Sequence, residues 1–187
     1  MNTPPAEPSL ITREHALAII GPGRLALLRE CHPQGFAGWE VVRALKEGTY
    51  MSETTRANIV HDGAVAHARS IFPAVMCGVT RRLFALDFEG LLFVRFKLLD
   101  EDLAPTSIPT GQARLLWNQG QLNGPETTIW PKAPMLISGY TLDPLGTAID
   151  KLVLVLERQG IVVWQHDLLA PIGVVDVAAE ERREEAQ

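Results

Sequence analysis

Arg95 and Lys97 are the residues whose types and spacing best suit a chemical task. They lie two apart in the segment Arg81 to Asp100, which reads RRLFALDFEGLLFVRFKLLD, and residues two apart on a strand share a face. A guanidinium offers a planar fork of donors and an ammonium a mobile point charge, so the pair suits a phosphate or a carboxylate. Two alternating apolar runs meet at Glu89-Gly90, and glycine supplies the positive φ that a tight hairpin loop needs. With a three-residue loop, Phe88 to Gly90, the residues Phe84, Leu86, Phe88, Leu92, Val94, Phe96 and Leu98 share a core face. Arg81, Leu83, Ala85, Asp87, Leu91, Phe93, Arg95, Lys97 and Leu99 share the other, which turns cationic away from the loop. This register sets Arg81 across from Lys97. Three positive groups without a partner repel one another, so an anion is expected beside Arg81, Arg95 and Lys97. The competing expectation is an internal ion pair with Asp87, Asp100 or Glu101, or a charged sheet edge that blocks aggregation.

Asp87 on one strand, Arg95-Phe96-Lys97 on the next and Gln112 on a following helix superficially resemble the arrangement in restriction-endonuclease-like nucleases. In that family an Asp and a Glu-x-Lys on adjacent strands hold a divalent metal beside the scissile phosphate. Here Arg95 stands where the second carboxylate would be, and a guanidinium cannot ligate Mg²⁺. The register also places Arg95 opposite Leu83, about 13 Å from Asp87 at the usual strand rise.

The remaining chemistry-bearing residues are scattered. His15, His32, His61, His67 and His166 do not make a metal set. His61 and His67 share a helix but lack the i, i+4 spacing of zinc-binding helices. His67, among Gly63, Ala64 and Ile71, reads as a hydrogen-bonded core histidine. His61, with Asn58, Asp62 and Arg69, reads as solvated helix face. Cys31-His32 has no acidic orienter nearby in sequence, and Cys77 sits in an apolar connection. Trp39, Trp117, Trp130 and Trp164 are the four tryptophans. Trp130 lies in a loop beside prolines, where it can stack on a base, anchor a partner or pin the loop to the core. The glycines form neither a G-x-G-x-x-G nor a Walker loop, so no cofactor is expected. Gly21-Pro22-Gly23 is a helix–helix turn.

These residues need a frame. At 187 residues, 47% hydrophobic and 21% charged, the chain suits one globular domain that buries about 70% of its unfolded surface. A formal charge of −5 argues against a generally basic nucleic-acid binder but leaves room for a local patch. Two distant cysteines, no signal-peptide pattern and no run of about 18 apolar residues point to the cytoplasm and away from membranes. Residues 1–10 form a flexible lead-in, 11–177 the domain and 178–187 a charged, solvated tail.

Within the domain, Thr12 caps a helix through Ala16 and Ile20. A second helix covers Arg24 to Glu30 and ends before His32-Pro33, and a third runs from Trp39 to Lys46. Ser52 caps a fourth from Glu53 to Phe72, ended by Pro73. The hairpin follows, then a helix over residues 112–119, a strand from Pro134 to Leu142, and a second hairpin of Lys151 to Glu157 and Ile161 to Asp167. The last two strands are apolar on both faces, which suits a sheet covered on both sides. The pattern is α+β: a helical N-terminal third packed on a mainly antiparallel sheet of about five strands with one intervening helix.

With no catalytic constellation, the sequence points to a non-enzymatic cytoplasmic binding or regulatory module. Its ligand is a protein partner or a phosphate-bearing molecule, bound by Arg95, Lys97, Arg81 and Trp130. The alternative is a phosphodiester- or nucleotide-directed enzyme, such as a small nuclease-type toxin of toxin–antitoxin or phage-defence systems. There Arg95 and Lys97 clamp the transition state, and His61, Asp87, Asp100 or Gln112 complete the site. The oligomeric state is open.

Overall fold

The computed structural model describes residues 10–47, 49–80, 83–106, 133–158 and 160–170. Among the described residues three α-helices come first: α1 (Arg13–Ile20), α2 (Pro22–Leu45) and α3 (Glu53–Ile71). Six strands follow among the described residues: β1 (Cys77–Thr80), β2 (Leu83–Phe88), β3 (Leu92–Leu98), β4 (Met135–Leu142), β5 (Ile149–Arg158) and β6 (Ile161–Asp167). They form one sheet in sequence order, antiparallel throughout except for the parallel pair β3–β4. The class is α+β, with one more strand than the pattern suggests: Cys77 begins β1 instead of lying in a connection. The expected helix at 112–119 lies outside the described residues, as do the two ends of the chain.

The caps form where the sequence places them. Thr12 accepts from the His15 N–H at 3.2 Å, and Ser52 from the Thr55 N–H at 3.1 Å, each satisfying a donor that a helix start leaves free. Gly21 closes α1 at φ 77°, and Pro22 opens α2, where its missing N–H is not needed.

The expected break at His32-Pro33 does not occur; α2 runs through it for 24 residues. Proline inside a helix costs about 3 kcal/mol, but Pro33 points to solvent. Leu25, Leu28, Cys31, His32, Gly35, Phe36 and Trp39 form one buried face on both sides of it. Each large apolar side chain gains roughly 1.5–3 kcal/mol on burial, so the face outweighs the proline. Gly35 lets α2 and α3 cross closely, since a Cβ there would lie 2.2 Å from the Val60 carbonyl oxygen.

The helices cover one side of the sheet, and Phe84, Leu86, Phe88, Leu92, Val94, Phe96, Leu136, Tyr140, Leu152 and Leu154 pack beneath them. A smaller cluster of Leu99, Leu103, Ile137, Val153 and Val155 lies on the reverse side. The second hairpin only half matches its expectation. β5 is buried from Leu152 to Leu156, but β6 is an outer strand with Ile161 69% and Val163 42% exposed. Apolar composition alone does not reveal a strand's place in the sheet order.

Candidate anion-binding site

The loop joining β2 to β3 turns at Glu89 and Gly90, both at positive φ, 60° and 71°. Phe88 pairs with Leu92, Asp87 with Phe93 and Leu86 with Val94. The faces are those read from the sequence, but the register differs by two residues. Continued, it sets Arg95 opposite Ala85, not Leu83, and Asp87 then lies about 7 Å along the strand. Asp87 is engaged elsewhere, accepting the Gly90 N–H at 2.7 Å to hold the turn.

The β2–β3 ladder stops at Leu86–Val94, although Leu83 to Leu86 of β2 stay paired with β1 and β3 continues along β4. Arg95 and Lys97 lie just beyond that opening. Their neighbours in β4 are Ile137 and Gly139, and Leu99 packs over Gly139, where a Cβ would meet its side chain at 2.4 Å. The chain then folds back. Leu98 O accepts both the main-chain N–H and the hydroxyl of Thr106, each at 3.2 Å.

Both cations are half-buried. Burial lowers the Arg95 pKa from its usual value. Lys97 is pushed down to about 8, first by burial and then by the charge of Arg95. Among the described residues neither has a hydrogen-bonding or ion-pair partner. Of the acids set against them, Asp87 holds its turn and Asp100 accepts the Asp102 and Ala104 N–H groups at 3.0 and 2.8 Å. Glu101 is exposed. The contrast with other arginines is clear. Arg24 pairs with Glu89 at 3.1 Å, Arg56 donates to Gly146 O at 3.1 Å, and Arg29 donates to the carbonyls of Leu168 and Ala170.

His61 is the functional candidate that helix periodicity misplaced. It stands at the margin of the buried stripe Val60, Ala64 and Ala68, and it is partly buried, not solvated. Burial lowers its pKa, opposed by Asp62 and reinforced by Lys97 and Arg95; a hydrogen bond to the Phe96 main chain acts weakly upward. Odd-numbered main-chain groups of β3 face β4, as Phe93 N to Pro134 O and Leu99 N to Tyr140 O show, both at 2.9 Å. The Phe96 carbonyl therefore faces the side from which β2 has diverged, where α3 presents His61. His67, expected in the core, instead lies at the α2–α3 boundary, 3.6 Å from Glu30, too long for a hydrogen bond.

The site thus joins Arg95, Lys97 and His61: two cations with low solvation and a mainly neutral imidazole. This set can hold an anion by charge-assisted hydrogen bonds and offers one group able to move a proton. Arg81, Trp130 and Gln112 lie outside the described residues. No group of three or more His, Cys, Asp or Glu side chains able to hold a metal occurs among the described residues. Cys31 is not an activated nucleophile, because burial pushes its thiol up to about 12. No helix among the described residues is long and apolar enough to cross a membrane. Comparison with known protein families, curated proteins and solved structures finds no match, so the chemistry of these side chains is the ground on which function is argued.

Proposed function

We propose that this protein is a binding or regulatory module that takes a phosphate-bearing ligand at Arg95 and Lys97. One observation carries the reading: two adjacent cations are half-buried beside apolar neighbours with no acidic partner among the described residues. Leaving charge poorly solvated and unpaired is costly, and an incoming anion offsets that cost on binding. A phosphate fits better than a lone carboxylate, since its oxygens can engage the guanidinium fork and the ammonium together.

Titration calorimetry with inorganic phosphate and nucleoside mono-, di- and triphosphates tests the reading. Binding by the wild-type protein, lost in Arg95→Ala/Lys97→Ala at unchanged melting temperature, supports it. Undiminished binding by a folded double variant overturns it.

The position of His61 favours one second reading, a phosphodiester- or nucleotide-directed enzyme. A mainly neutral imidazole beside two cations is the pairing of base and charge clamp that phosphoryl chemistry uses. Incubation with RNA, DNA and nucleotides, with and without Mg²⁺, separates the two readings. Turnover abolished by His61→Ala selects the enzyme, and binding without turnover selects the module.

A further inference from the structure

Lys97 differs from the other lysines among the described residues. Lys46 and Lys151 are exposed, whereas Lys97 is half-buried. Its strand continues past the last β2–β3 pair at Leu86–Val94, so no β2 residue is paired beside it. On the other flank it pairs with Gly139 of β4, and Leu99 occupies the space over that glycine. The amine therefore stands beside an apolar wall. None of the ion pairs among the described residues includes it. Its neighbour on the same face is another cation, Arg95, two residues back and about 7 Å away along the strand.

A poorly solvated amine beside a like charge favours its neutral, nucleophilic form. Burial first, and then the charge of Arg95, pushes the Lys97 pKa down to about 8. At pH 7 about one amine in ten is then neutral, against a few in ten thousand for an ordinary lysine. Neither side chain is sealed in. Lys97 and Arg95 each keep part of their surface in solvent, so a small molecule needs no internal cavity to meet them.

We infer that Lys97 is a nucleophile that forms an imine with a small phosphate-bearing aldehyde or ketone, whose phosphate Arg95 holds. This rests on the proposed anion site and names its ligand class. The neutral Nζ adds its lone pair to the carbonyl carbon, and the π pair of the C=O bond moves to oxygen. The nitrogen loses both of its protons in the course of the reaction, and the oxygen gains two and leaves as water. Carbonyl and amine thus become imine and water, with no oxidant or reductant. Once Lys97 has lost its charge, the guanidinium fork keeps the phosphate through two parallel hydrogen bonds.

Glyceraldehyde 3-phosphate with sodium cyanoborohydride tests this on the wild-type protein at pH 7, read by peptide mass mapping. Cyanoborohydride reduces the imine to a secondary amine, so the label stays where it formed. The expected result is labelling at Lys97 about tenfold or more faster than at Lys46 and Lys151. Unphosphorylated glyceraldehyde should lose that preference, and inorganic phosphate should compete with the label. Arg95→Ala should slow labelling at Lys97 and leave Lys46 and Lys151 unchanged. Equal labelling of the three lysines, in a protein that binds inorganic phosphate by calorimetry, overturns the imine and leaves the anion site standing. Fast labelling of Lys97 that ignores the phosphate group, with no phosphate bound in calorimetry, overturns the anion site and this ligand class with it.

Discussion

Phe96 and its two neighbours on β3 sit one peptide apart, yet they live in different solvents. Phe96 faces the helices, 1% exposed, stacked with Phe84 at 5.8 Å and against the edge of His32. Arg95 and Lys97 face the reverse side, half-buried with no charge partner among the described residues. The helix side is mostly apolar: His32 within it is kept neutral by burial, and the Arg24 and Arg69 guanidiniums lie over the Phe88 and Phe84 rings. The reverse side keeps its cations charged at neutral pH and their solvation poor. Packing that stabilises one face of a strand can hold a destabilised functional arrangement on the other, since alternation sends successive side chains to opposite faces.

Substitutions test that division, and the largest effect belongs to the core side. Phe96→Ala should lower unfolding free energy by about 3–5 kcal/mol, measured by chemical denaturation. A loss below ~1 kcal/mol would show that the helix-facing side is not the stabilising one. Next comes Arg95→Ala/Lys97→Ala, which should weaken phosphate binding by about 3 kcal/mol, roughly a hundredfold, on losing two charge-assisted contacts. Its melting temperature should hold or rise, whereas a large fall would make the pair structural.

The two faces should also answer to pH in separate windows. His32 has its folded-state pKa lowered from 6.5 to about 4, so the unfolded chain binds the extra proton between those values. Its contribution to stability is complete above pH 6.5 and is lost as pH falls toward 4. Replacing it with Gln should flatten that acid limb in thermal melts at successive pH values. Lys97 has its pKa lowered from 10.5 to about 8. Here too the unfolded state holds more protons within the window, so stability should rise as pH increases from 8 to 10.5. Lys97→Met should erase that rise and slightly raise the melting temperature at pH 7; an unchanged alkaline limb would place Lys97 in full solvent. The smallest effect is expected for His61→Gln. Phosphate affinity should fall severalfold with stability almost unchanged, and no change at all would remove His61 from the site.

Local signals were the legible part of this molecule. Thr12 and Ser52 cap the helices their side chains suit, Gly90 takes the positive φ its loop demands, and the two faces of β3 follow from period-two alternation. Misreadings came where a distant element outvoted a local one. Pro33 reads as a stop, but the continuous face packed against α3 and the sheet carries α2 through it. The strands of β5 and β6 look alike in composition, and only the sheet order leaves Ile161 and Val163 exposed.

The amino-acid order by itself therefore determined the class, the hairpin and the pairing of Arg95 with Lys97 on one face, because these depend on residues within a few positions of each other. Tertiary structure decided the rest. It ended the β2–β3 ladder at Leu86–Val94, brought His61 from α3 to the Phe96 carbonyl, and sealed His32 over Ser138 across 106 positions of chain. No local pattern encodes those approaches. They arise from the way α2 and α3 cross at Gly35 and settle together on the sheet, a result of the whole core packing at once.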